Sequence, residues 1–134
     1  MLYLDANVLI YPVLHTGPKS DAAAALLARL EAGKEHAATS SLTLDEVLWV
    51  VGKNAGRDVA LRHAELVLGL PRLRILPVRD AEVRAALDLM RAHRKLSPRD
   101  AIHAATAMGA GIFTVVSDDA DFDAVDGLER RPLA

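Results

Sequence analysis

Asp5, Glu46, Asp100 and Asp119 are the residues of this 134-residue chain whose types and settings fit chemistry. Asp5 follows the apolar run Leu2-Tyr3-Leu4, and Asp119 follows the apolar run Ile112 to Val116. Glu46 and Asp100 each fall in the expected first turn of an apolar helix. An acid so placed is anchored to the core while its carboxylate reaches a cleft. Carboxylates gathered in one cleft repel one another unless a cation neutralises them, and a set of oxygen donors suits a hard divalent ion, Mg²⁺ or Mn²⁺. Around Asp119 the run Ser117-Asp118-Asp119-Ala120-Asp121-Phe122-Asp123 carries four acids in seven residues, a density that calls for solvent or a cation.

Each acid also has an ordinary structural reading. Asp5 with Ala6-Asn7 suits a turn after a strand. Glu46 lies three residues after Thr43 and Asp100 three after Ser97, so both fit a capping box in which the acid serves the helix start. The acidic run suits an Asx turn. His103 falls one turn after Asp100 on the same helical face, which suits either a partner that supports the acids or, as the expected role, a packed histidine. On these readings alone the chain is a non-catalytic binding module whose acids act as caps. The collective argument opposes it, because four separate capping jobs at one sheet edge are a less economical account than one shared cation. There is no cysteine nucleophile, and the Ser and His residues suggest no triad.

The elements that must position these residues alternate. Strands are expected at Leu2–Leu4, His36–Ser40, Leu73–Leu76 and Ile112–Val116, with an edge strand at Leu128–Pro132, where Pro132 lacks a ladder donor. Val8 to Tyr11 suggests a short helical turn. Helices are expected over Ala22–Ala32 with Ser20 as cap, from Thr43 to about Lys53, over Asp58–Leu68, from Asp80 to about His93, and from Ser97-Pro98 to Gly109 or Gly111. Leu61, Ala64, Val67 and Leu68 form one expected inward face, and Val83, Ala86, Leu87 and Met90 another. The helix containing Leu44, Val47, Leu48, Trp49, Val50 and Val51 is apolar nearly all round, which fits burial or a contact with a partner. Such alternation predicts a single α/β domain over residues 1–134: a three-layer fold with a parallel sheet of four to five strands and helices on both faces. Right-handed crossovers gather the C-terminal strand ends, and with them the acids, along one edge.

Composition bounds the function. A chain of this length supports one core, and with 51% apolar and 25% charged residues it is expected to be soluble. No apolar run approaches a membrane span of about 20 residues. No basic leader is seen before Asp5, and the chain has no cysteine, so a cytoplasmic location is expected. Lys plus Arg against Asp plus Glu is 4 to 6 over residues 1–56, 10 to 5 over 57–99, and 2 to 7 over 100–134. A basic middle beside an acidic end fits a metal site with a phosphate-binding rim, or simply solvated helix faces.

Four segments taken together resemble the PIN-domain nucleases. Tyr3-Leu4-Asp5-Ala6-Asn7-Val8-Leu9 is similar to that family's opening motif, Thr39 to Val47 to its second with Glu46 as the acid, Pro98 to Ala105 to its third, and Ser117 to Phe122 to its fourth. Size and the lack of accessory segments look most like the VapC-type toxins of toxin–antitoxin pairs. The resemblance implies a Mg²⁺- or Mn²⁺-dependent ribonuclease acting on RNA, forming a homodimer and held inactive by a small antitoxin. It implies Asp5, Glu46, Asp100 and Asp119 as the catalytic and metal-binding acids, with Asp121 as an auxiliary metal ligand. Asn7 and Ser117 would orient ligands or water, and Arg99 would contact RNA. Asp118 stands outside the pattern, though the choice between Asp118 and Asp119 depends on register within the acidic run.

Overall fold

The computed structural model describes residues 1–134. In chain order its elements are β1 (Leu2–Leu4), α1 (Ala6–Leu14), α2 (Pro18–Glu31), β2 (Ala37–Ser40), α3 (Ser41–Ala55), α4 (Arg57–Leu68), β3 (Leu73–Leu76), α5 (Asp80–Ala92), α6 (Pro98–Gly109), β4 (Thr114–Val116), a 3₁₀ turn at Ala120–Ala124 and β5 (Glu129–Arg131). The five strands form one sheet in the order β3-β2-β1-β4-β5, with every pairing parallel. β5 lies at an edge, where Pro132 does no harm. No helix is long and apolar enough to cross a membrane.

Side chains alternate across the short strands and divide the core in two. Leu2 and Leu4 of β1 join Val8, Leu9, Leu30, Val47, Val51, Ala60 and Val67 on the face covered by α1 to α4. Tyr3, between them, joins Ala101, Ala104, Val115 and Phe122 on the face covered by α5, α6 and the 3₁₀ turn. The strand order reverses direction at β1, whose neighbours are β2 on one side and β4 on the other. In open α/β sheets such a switch point, at the C-terminal strand ends, is where a crevice forms. Leu4 pairs with Val116, so Asp5 and Ser117 emerge side by side.

Several helix starts differ from the sequence expectation, each for a local reason. The turn expected at Val8–Tyr11 is a full helix from Ala6, because Asp5 caps it by accepting from the Ala6 N–H at 2.8 Å. Pro12 sits inside that helix and leaves the Val8 carbonyl without its usual donor. α2 begins at Pro18 rather than Ala22, with Gly17 at φ +116° as the cap position and proline at the first helical position, where its missing N–H is harmless. Ser20 does not cap it; the hydroxyl donates to the Tyr11 and His15 carbonyls at the end of α1, at 3.1 and 2.9 Å. α3 follows β2 with no intervening loop, so Thr43 is buried inside the helix and its hydroxyl bonds that of Thr39 at 2.8 Å.

The inward faces of α4 and α5 are also rotated from those expected. Ala60, Ala64 and Val67 are the buried residues of α4, while Leu61 and Leu68 are exposed. In α5 only Ala86 is buried, and Val83 and Leu87 are exposed. Small side chains let these helices approach their neighbours closely, and the larger apolar ones spread to the flank. Arg79 occupies the cap position before α5, in place of Asp80, and Glu82 accepts from its backbone N–H at 3.3 Å. The α6 start is as expected: Ser97 caps it, accepting from the Asp100 N–H at 3.2 Å, and Pro98 opens the helix.

Candidate metal centre

Two sheet ends and two helices converge on one crevice. Asp5, Asn7, Glu46, Asp100 and Asp119 line a cleft of about 320 Å³ together with Ala6, Ile10, Tyr11, His15 and Val50. Asp5 comes from the end of β1 and Asp119 from the loop after β4; Glu46 comes from α3 and Asp100 from the first turn of α6. Within the cleft the donors form two groups. Ligand atoms of Asp5, Glu46 and His103 lie within 4.8 Å of one another, and those of Asp100, Asp119 and Asp121 do so as well.

The polar contacts of each residue set what it offers. Asp5 spends one oxygen on the α1 cap; the other, Oδ2, accepts from the Ser117 hydroxyl at 2.7 Å and from Asn7 Nδ2 at 3.5 Å. Asn7 Nδ2 also donates to Ser117 Oγ at 3.3 Å, which leaves the buried Asn7 Oδ1 with no partner. A buried, unpartnered carbonyl oxygen beside carboxylates is an open ligand position, since such atoms are otherwise satisfied. Ser117 is fully buried and its Oγ accepts from the Asp119 N–H at 3.0 Å, fixing the loop that carries Asp119. Asp121 is exposed at the rim, and its N–H donates to Asp119 Oδ1 at 2.9 Å. Asp119 is therefore also a cap for the 3₁₀ turn, and the Asp100 carboxyl lies against it.

Glu46 departs from its expected setting. It stands beyond the first turn of α3, and the Thr43–Glu46 capping box does not form because the helix already begins at Ser41. Its Oε1 instead accepts from His103 Nε2 at 2.6 Å, with Arg99 Nε at 3.7 Å. Arg99 is otherwise open to solvent at the mouth of a neighbouring depression shared with Ser97, Asp100 and Asp119. Asp118 points away from the cleft, pairing with Lys19 at 2.8 Å and accepting from the Leu133 N–H at 3.4 Å. Register thus brings Asp119, not Asp118, to the other acids.

Electrostatics record the crowding. Burial, then the hydrogen-bonded Asp119 carboxylate and the charges of Asp119 and Asp5, push the Asp100 carboxyl up to about 7. Burial also raises Asp5, against the opposing pull of His103, Ser117 and the Ala6 N–H. For Asp118, burial is outweighed by Lys19, Tyr11 and the Leu133 N–H, and it titrates low. Carboxylates stand on both flanks of the cleft, and the buried Asn7 oxygen beside them is orphaned. These features fit a hard divalent cation.

One residue of this centre was foreseen only as the lesser of two readings, and another was not foreseen. His103 is packed, as expected, with 1% of its surface exposed, but it packs onto the acids themselves. Arg130 forks onto Asp123 at 2.9 and 3.1 Å and donates to the Ser117 carbonyl at 3.1 Å, tying β5 to the acidic loop. Its place one turn after Asp100 hinted at the first; nothing in the local sequence pointed to the second.

Comparison with known proteins identifies the family of this fold. Residues 2–128 match the profile described as PIN domain. The chain belongs to the PIN-domain family. Relatives of this PIN domain include ribonuclease VapC13 of Mycobacterium tuberculosis and VapC ribonuclease Mb1869c of Mycobacterium bovis. Each is 27% identical over 130 residues, covering 97% of this chain and 98% of the relative. Among solved structures, the fold is similar to VapC20 of Mycobacterium tuberculosis, a toxin that cleaves the sarcin–ricin loop, with a TM-score of 0.78, 24% identity and coverage of 98% and 100%. FitAcB of Neisseria gonorrhoeae superposes with a TM-score of 0.70 at 27% identity, over 97% of this chain and 96% of that one.

Proposed function

We propose that this PIN-domain protein is a Mg²⁺- or Mn²⁺-dependent endoribonuclease, the toxin of a type II toxin–antitoxin pair acting in the cytoplasm. The observation that carries this reading is the convergence of Asp5, Glu46, Asp100 and Asp119 on one cleft beside an orphaned Asn7 oxygen. The relatives named VapC ribonuclease and the VapBC complexes among the fold's neighbours support it.

Asp5, Glu46, Asp100 and Asp119 would hold the cation, with Asp121 and Asn7 Oδ1 in reach of it. A cation there supplies an activated water and neutralises the charge that gathers on the phosphate during in-line attack. Ser117 keeps the Asp5 carboxylate and the Asp119 loop aligned. Arg99, at the rim, holds the RNA backbone, supported by the excess of arginine over acid in residues 57–99. Exposed Trp49, Leu48 and Leu61 line an apolar groove between α3 and α4, the face suited to a second copy or an antitoxin.

Incubating the purified chain with total RNA, with and without Mn²⁺, tests the activity. Cleavage should require the metal, and Asp5→Asn and Asp100→Asn should each lower it by roughly 100-fold or more while circular dichroism stays unchanged. Cleavage that persists in excess chelator would reject the reading.

A further inference from the structure

Tyr3 reaches across the sheet's second face to His103, 100 positions away in sequence. Its hydroxyl is 2.6 Å from His103 Nδ1 and 2.8 Å from Ser40 Oγ, and the two rings meet edge to face at 5.6 Å. On its far side His103 Nε2 is 2.6 Å from Glu46 Oε1 and 3.5 Å from Asp5 Oδ1. Ionised carboxylates only accept, so Nε2 carries the proton in that short contact. On the other edge of the ring Nδ1 meets the Tyr3 hydroxyl. On its other side that hydroxyl donates to Ser40 Oγ. Ser40 is free for this because its side chain makes no cap bond to α3.

We infer that His103 is a positioning residue, held in place by Tyr3 at Nδ1, which grips Glu46 Oε1 through Nε2 and leaves Oε2 for the cation. The inference rests on the metal-site reading above and adds to it a device outside the acidic set. It also assigns His103 a role other than metal ligand. To coordinate, Nε2 would have to give up its 2.6 Å contact with Glu46 Oε1. Buried ring orientation of this kind is how supporting partners tune a metal site.

The test is titration of the full chain with Mn²⁺ alone, read by calorimetry and by electron spin-echo spectroscopy of the bound ion. His103→Leu should weaken Mn²⁺ binding by about 10- to 100-fold. His103→Gln, whose amide can still donate to Glu46, should recover most of that loss, a rescue that packing alone does not explain. Tyr3→Phe, which keeps the ring and drops the hydroxyl, should weaken binding several-fold and carries the test if His103→Leu fails to fold. No imidazole nitrogen coupling should appear in the unaltered chain. Unchanged affinity in His103→Leu or in Tyr3→Phe, or a directly coupled nitrogen, overturns the inference while leaving the metal site standing. An unaltered chain that binds no Mn²⁺ removes both.

Discussion

At the scale of residues, Asp100 shows how the site stores unfavourable charge. Its folded-state carboxyl titrates near 7, chiefly through burial and then through Asp119 and Asp5. Between the ordinary aspartate range and that value the folded chain binds a proton that the unfolded chain has released. Metal-free stability therefore falls as pH rises through this window, and Asp5, also raised, contributes in the same direction. Thermal denaturation in chelator should give a lower melting temperature near pH 8 than near pH 5, and Asp100→Asn should shrink that difference. An unchanged difference would place the strain elsewhere. The acids themselves were legible from residue type and from where apolar runs end. His103 was legible only as one of two readings, because the meaning of a buried histidine depends on which face of β1 Tyr3 occupies.

At the scale of elements, the cleft depends on where strands stop and what pins the following loop. Strand positions were readable because the apolar runs are short and bounded by Pro, Gly or Asp. Helix starts were less so. Thr43 and Ser20 have the right side chains for caps, but tertiary hydrogen bonds to Thr39 and to the α1 carbonyls claim them first. The rotated faces of α4 and α5 have a similar origin, since leucine periodicity does not reveal that alanines make the closer contact. Phe122 anchors the 3₁₀ turn that carries Asp119 and Asp121, and it is fully buried beneath it. Phe122→Ala should lower stability by about 3–5 kcal/mol in urea denaturation. It should also weaken Mn²⁺ binding in the fraction that remains folded. Loss of stability with intact metal affinity would mean the loop holds its shape without that anchor.

At the scale of the whole molecule, the apolar groove between α3 and α4 is the feature the isolated fold does not explain. Trp49 is 67% exposed, although the sequence of α3 is apolar nearly all round. That helix enters the core through Leu44, Val47 and Val51, while Leu48 and Trp49 face outward. If this face pairs two copies, light scattering should give about twice the 14.4 kDa chain mass, and Trp49→Glu should shift the protein toward 14.4 kDa. A dimer indifferent to that substitution would place the contact on another surface.

The claim underlying all of this is that acids from four separate segments act as one receptor for a divalent ion. Anomalous diffraction from crystals soaked in Mn²⁺ addresses it most directly. The account predicts a peak in the cleft bounded by Asp5, Glu46, Asp100 and Asp119, lost in Asp100→Asn crystals. Well-ordered carboxylates with no peak among them, or a peak only at Asp118 or on the outer surface, would contradict it.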